Sequence, residues 1–257
     1  ESAQALRRVP YAIVVEGHTS VAKSQMASII HYYYAKLMEK PLTGTERFVL
    51  NATANFWDGF STEKWSCLLD DAGMFSDKVD IVDESIMNII RIVNNIPFMP
   101  DMASLDDKGK TPFKCDLVTI TTNTPDLGFN TYFRYPLAAA RRLPIHVFLE
   151  PKNTTEDNMT IDTTAIKGEA YEDLWYITLK TPILNNSQGN IDECRPQNFK
   201  FDIIRDNEGK KLERISMQEF LVFLRDSMLS HDEKQNVLLK FLSCLNLMNC
   251  VTSVVYP

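Results

Sequence analysis

The residues best placed to do chemistry are Gly17-His18-Thr19-Ser20-Val21-Ala22-Lys23-Ser24. They follow the apolar, β-branched run at 11–15 and precede a helical pattern. A glycine-led loop between a strand and a helix, closed by Lys-Ser, is the setting a phosphate-binding loop needs. Loop and helix N–H groups point at the phosphate, and the helix dipole adds positive potential. Lys23 would reach the β- and γ-phosphates, and the Ser24 hydroxyl would bind Mg²⁺. Ala22 stands where a second glycine is usual, so a plain strand–turn–helix with a surface Lys-Ser stays open beside this reading.

Two other strand ends carry polar chemistry. Asp70-Asp71 closes an apolar run, where one carboxylate can hold the Mg²⁺ water shell and the other can orient an attacking water. Thr121-Thr122-Asn123 closes another, with Asn123 placed to contact a γ-phosphate or its water. Either alone reads equally as a turn. Together they matter, because open α/β sheets bind ligands at the carboxyl ends of their strands.

The elements that must position these groups follow from periodicity. Met26, Ile29, Ile30, Tyr33, Tyr34 and Leu37 mark a helix that Pro41 ends. Strands are expected at 48–50, 65–69, 115–120 and 145–149, with a helix at 86–93 closed by Pro97. Alternation of this kind predicts an α/β fold with a mostly parallel sheet. Beyond Pro151 the pattern changes to a polar loop at 152–164, strands at 175–179 and 199–204, a turn at 207–210, a helix from Ser216 and a last helix from about Asp232. The expected division is therefore a core at 1–150, a mixed extension at 151–230 and an amphipathic helix at 231–257.

The chain has 257 residues and a formal net charge of −7, which argues against a protein whose whole surface coats a duplex. No apolar run approaches the ~20 residues of a membrane span, and the start, with Glu1, Arg7 and Arg8, lacks a signal-peptide core. The five cysteines are odd in number and scattered, as expected of reduced thiols in a cytosolic compartment.

The stretch 83–110, the run Val118-Thr119-Ile120-Thr121-Thr122-Asn123 and Phe56-Trp57-Asp58-Gly59-Phe60 resemble the superfamily 3 helicases of picornavirus-like positive-strand RNA viruses. The likeness covers roughly residues 5–150. It implies an AAA+-related P-loop fold that assembles as a homo-hexameric ring, hydrolyses ATP with Mg²⁺ and acts on single-stranded RNA. It carries over Gly17, Lys23 and Ser24 as Walker A, Asp70 and Asp71 as Walker B, and Asn123 as the sensor. It matches Lys108 and Lys110 to the RNA-facing pore segment and Arg141 and Arg142 to an arginine-finger pair serving the neighbouring site. It also implies viral replication proteins as partners and a host-cytoplasmic place at membrane-associated replication complexes, with membrane contact through a segment outside this chain. Cys194 stands alone, so no zinc is expected. In such proteins a C-terminal helix docks on the next subunit. A catalytically weak nucleotide-binding scaffold that recruits RNA, membranes and viral proteins remains the alternative.

Overall fold

Tyr11–Glu16 (β1) is buried at every position, as a strand covered on both faces must be. Its side chains alternate between two cores. Ala12 and Val14 enter one, and Tyr11, Ile13 and Val15 the other. The computed structural model describes residues 6–51, 54, 56–74, 83–104, 108–155, 160–162, 164, 166–168, 171–185 and 198–252, with 242–252 described through the backbone alone.

After β1 come Lys23–Leu37 (α1), Arg47–Asn51 (β2), Ser66–Asp70 (β3), Glu84–Ile92 (α2), Leu117–Thr122 (β4), Phe129–Tyr132 (α3), Pro136–Ala140 (α4) and His146–Pro151 (β5). Trp175–Leu184 (β6), Phe199–Ile203 (β7) and Met217–Thr252 (α5) complete the order. One sheet runs β2-β3-β4-β1-β5-β6-β7. Its first five strands are parallel, and β6 and β7 continue it antiparallel. The α/β class with a mostly parallel sheet is as expected. The extension after Pro151 adds its two strands to the edge of this same sheet.

The helices cover the two faces. Ile86, Ile89 and Ile92 of α2, Phe129 of α3 and Leu137 of α4 fill one core. Met26, Ile30 and Tyr34 of α1 fill the other, with Phe220, Leu224 and Met228 of α5. Arg7 fastens the start of the chain to this frame: its guanidinium donates to the carbonyls of Arg91, Ile92 and Ile96 just where α2 ends.

Two helices were expected after Ser216, and the structure has one. Ser216 and Glu219 form a reciprocal cap: the Glu219 carboxylate accepts from the Ser216 amide at 2.9 Å and the Ser216 hydroxyl from the Glu219 amide at 3.3 Å. No Gly or Pro follows before Thr252, so nothing breaks the backbone at Asp232. The first half of α5 packs in the core. Beyond it Leu229, Val237 and Phe241 are exposed.

His31 on α1 is 4% exposed and lies flat on Trp65 with centroids 4.6 Å apart. Its Nδ1 meets the Ser66 hydroxyl at 2.9 Å. Burial first, and the nearby Arg47, lower its pKa from 6.5 to about 4 against the opposing pull of Glu46. At neutral pH the ring is therefore uncharged, and its 3.8 Å approach to Glu46 is not an ion pair. The unfolded chain takes up this proton near pH 6.5 and the folded one only near 4. Stability should fall as pH drops through that window, by on the order of 3 kcal/mol. Urea midpoints measured from pH 7 to 4 should show this loss, and His31→Leu should remove most of it.

Candidate functional site

The carboxyl ends of β3, β4 and β1 lie side by side, because these strands are neighbours and parallel. Polar groups from all three ends converge. Lys23 opens α1 and is 8% exposed. Its ammonium donates to Asn123 Oδ1 at 2.6 Å, to the His18 carbonyl at 2.9 Å and to the Gly17 carbonyl at 3.3 Å. Asn123 turns its amide to Asp71, 3.4 Å away. Burial lowers the Lys23 pKa, and the carboxylates of Asp71 and Asp70 oppose that shift.

Thr121 is the organiser that the sequence reading did not single out. Its hydroxyl donates to Asp70 Oδ1 at 2.7 Å and accepts from the Asp71 amide at 2.9 Å. One side chain thus sets both aspartates. Asp70 is half-buried and Asp71 exposed, with φ 51°. The signal was its place two residues before Asn123 at a strand end.

The loop itself has little freedom. A Cβ on Gly17 would stand 2.9 Å from Val21 Cγ2 and 3.1 Å from the Leu149 carbonyl oxygen, so the close approach requires glycine. Ser20 and Ala22 adopt left-handed dihedrals, φ 65° and 61°. Ala22 takes the conformation that a glycine would adopt without strain. Two outside bonds hold the loop there. The buried Trp175 indole donates to the Val21 carbonyl at 2.8 Å, and the Ile161 amide to the Ser20 carbonyl at 3.3 Å. Glu16, 2% exposed, precedes the loop. Burial raises its pKa, but His146 and Lys180 outweigh that and hold the carboxyl below its usual range. Lys180 donates to it at 2.5 Å.

The donor set fits a Mg²⁺–nucleotide. Mg²⁺ usually takes one or two carboxylates, phosphate oxygens and waters. Asp70 keeps its second oxygen clear of Thr121, and exposed Ser24 stands in the first turn of α1. Among the described residues no group of three His, Cys, Asp or Glu comes together as a metal cluster. Cys194 lies outside them, while Cys67 and Cys115 are buried free thiols whose pKa burial raises.

The remaining candidates lie elsewhere. Arg141 and Arg142 follow α4 and line a cavity of about 500 Å³ with Val9, Pro10, Asn94 and His231, at the amino end of β1. Arg142 is half-buried and donates to the Val93 carbonyl at 3.1 Å, whereas Arg141 is exposed. Lys108 and Lys110 are exposed on a turn of the α2–β4 connection. Neither pair is brought to Lys23 within one chain.

Residues 13–124 match the RNA helicase family. The chain resembles picornavirus-like superfamily 3 helicases. It is 32% identical over 135 residues, 52% of its length, to the genome polyprotein of Encephalomyocarditis virus, and the match covers 5% of that polyprotein. The Mengo encephalomyocarditis virus genome polyprotein matches at the same identity and coverage. The replicase polyprotein of Acute bee paralysis virus is 30% identical over 109 residues, 42% of this chain and 6% of that polyprotein. The helicase-family match takes in the whole cluster from Gly17 to Asn123. Arg141 and Arg142 lie beyond it.

The strain at Ala22 is testable. Left-handed backbone costs a non-glycine residue roughly 1–2 kcal/mol. Glycine costs about 0.5–1 kcal/mol in unfolded-state entropy. Ala22→Gly should therefore raise stability slightly, by up to about 1 kcal/mol. A clear drop in the urea midpoint would show that the loop is not strained at this residue.

Proposed function

We propose that this helicase-family domain is an ATP-hydrolysing RNA helicase or RNA-remodelling ATPase that works as a ring in viral RNA replication. The observation that carries the reading is the continuous polar chain from Lys23 through Asn123 to Asp71, with Thr121 joining Asp70. Its three strand ends supply a cation for phosphate charge, two carboxylates and an amide, all at the mouth of one loop.

In this reading the loop amides and Lys23 bind the β- and γ-phosphates, and Lys23 exchanges its carbonyl partners for phosphate oxygens. Ser24 and Asp70 hold Mg²⁺, which supplies charge neutralisation when bound. Asp71 and Asn123 orient the attacking water, Asp71 accepting a hydrogen bond from it. Arg141, the exposed member of its pair, serves as the finger for a neighbouring copy, while Arg142 anchors the segment to the end of α2. Lys108 and Lys110 contact single-stranded RNA. The exposed Val237 and Phe241 of α5 make the contact with the next copy. The setting is the host cytoplasm, with viral replication proteins and membranes reached through other parts of a longer protein.

Lys23→Ala should abolish ATP hydrolysis, and Asp70→Asn should stop turnover while leaving nucleotide binding largely intact, because the water-orienting and metal-holding roles act in the transition state. Parental rates in Lys23→Ala, read by phosphate release, would remove the assignment.

The finger acts between copies, so the rate per subunit should rise with protein concentration. Arg141→Ala should be inactive alone, since a finger contributes roughly 10³–10⁵ in rate. Mixed with Lys23→Ala protein, it should regain measurable hydrolysis, each partner supplying the half-site the other lacks. Flat rates across dilution with no rescue would leave the nucleotide-binding scaffold as the better reading.

A further inference from the structure

A cavity of about 300 Å³ opens beside the amino end of α1. Gln25, Ile29 and Tyr32 line it from that helix, and Tyr171, Glu172, Leu174 and Trp175 from the segment leading into β6. Gln25 is two residues past Lys23, so the cavity begins where the phosphate cradle ends. Trp175 ties the two sites together physically, because it floors the cavity and donates to the Val21 carbonyl in the loop. The lining is mostly apolar and aromatic. Tyr171 is held in a left-handed conformation, φ 61°, with its ring edge-on to Tyr33 at 6.1 Å.

We propose that this cavity receives the base and ribose of the nucleotide whose phosphates the 17–24 loop holds. The inference rests on the proposed nucleotide site. It adds that the segment at 171–175 is a specificity-determining wall of that site. A flat, aromatic, partly polar ligand suits the shape, since pockets for small molecules pair apolar walls with a few polar groups. Ile29 and Leu174 supply the apolar wall, Tyr32 and Tyr171 supply rings for stacking, and Gln25 supplies an amide at the entrance. A nucleotide anchored by its phosphates at the start of α1 would reach this cavity with its nucleoside passing Gln25, the lining residue nearest Lys23 in the chain. The segment at 171–175 is then coupled to the loop in both directions: it positions Val21 through Trp175, and it touches the base through Tyr171.

Inorganic tripolyphosphate separates the two sites, because it carries the phosphates without a base. In equilibrium binding to the full chain with Mg²⁺, ATP should bind about tenfold or more tightly than tripolyphosphate, the scale of stacking one base on aromatic side chains. Ile29→Arg, which fills the cavity, and Tyr171→Ala, which removes a ring, should each bring ATP down toward the tripolyphosphate value. Tripolyphosphate binding should stay unchanged, which also shows that the variants fold. If both ligands bind equally to the parent protein, or both variants leave the ATP preference intact, the cavity is not the base site. If neither ligand binds the parent protein, the phosphate loop itself is misassigned, which is a different failure.

Discussion

Lys23 as a residue is 8% exposed, and an ammonium drawn out of water in this way must be paired with acceptors. Two of its acceptors are carbonyls of its own loop, and the third, Asn123 Oδ1, comes from the end of β4. That bond requires β4 to lie beside β1 with Glu16 level with Thr122, which is the observed register. A slip of one residue would turn Thr121 and Asn123 together to the other face. Once β4 is fixed, β3 beside it brings Asp70 within reach of Thr121. The site is thus a consequence of strand order, with one desolvated cation as its keystone.

The same logic explains how a glycine-poor loop holds its shape. Left-handed dihedrals at Ser20 and Ala22 cost free energy that surrounding structure must offset. The offset comes from outside the loop. Trp175 buries its ring completely and spends its only donor on the Val21 carbonyl. Ile161, itself bridged to Thr154, holds Ser20. The described strands and loops after Pro151 are therefore part of the support of the 17–24 loop, while Lys23, Asp70, Asp71 and Asn123 all come from before it.

Much of this was legible in the sequence, and the reasons are local. Continuous apolar runs marked β1, β3 and β4, and strict helical spacing marked α1, so Lys23, Asp70, Asp71 and Asn123 fell on the correct ends. What escaped depends on contacts distant in sequence. Trp175 lies 154 residues from Val21, and nothing in its own apolar run signals its partner. The capping of α2 by Arg7 spans 84 and 85 residues. Ala22 violates the expected composition while keeping the expected conformation, a distinction that residue type alone does not carry. The separate helices expected from Ser216 and from about Asp232 are one element, Met217–Thr252. Propensity continues unbroken through Asp232, and only the packing stops.

That stop has a geometric consequence. Six residues of β1 separate the two ends of the sheet, about 20 Å of strand. Lys23 stands at one end and Arg141 at the other, so no adjustment within one chain brings the arginine to its own loop. On the proposed mechanism the gap is closed by a second copy. The α5 residues Ser227, His231 and Lys234 line the same cavity as Arg141, and the exposed Val237 and Phe241 follow within the next turns. On that proposal, the exposed apolar side chains of α5 follow the cavity that Arg141 lines. A contact made with one end of the sheet here and the other end there is heterologous, and repeated contacts of that kind close into a ring when the rotation permits. One helix, leaving the core where its packing ends, thus puts exposed apolar side chains and Arg141 toward the same end of the sheet, as the proposed ring contact would require.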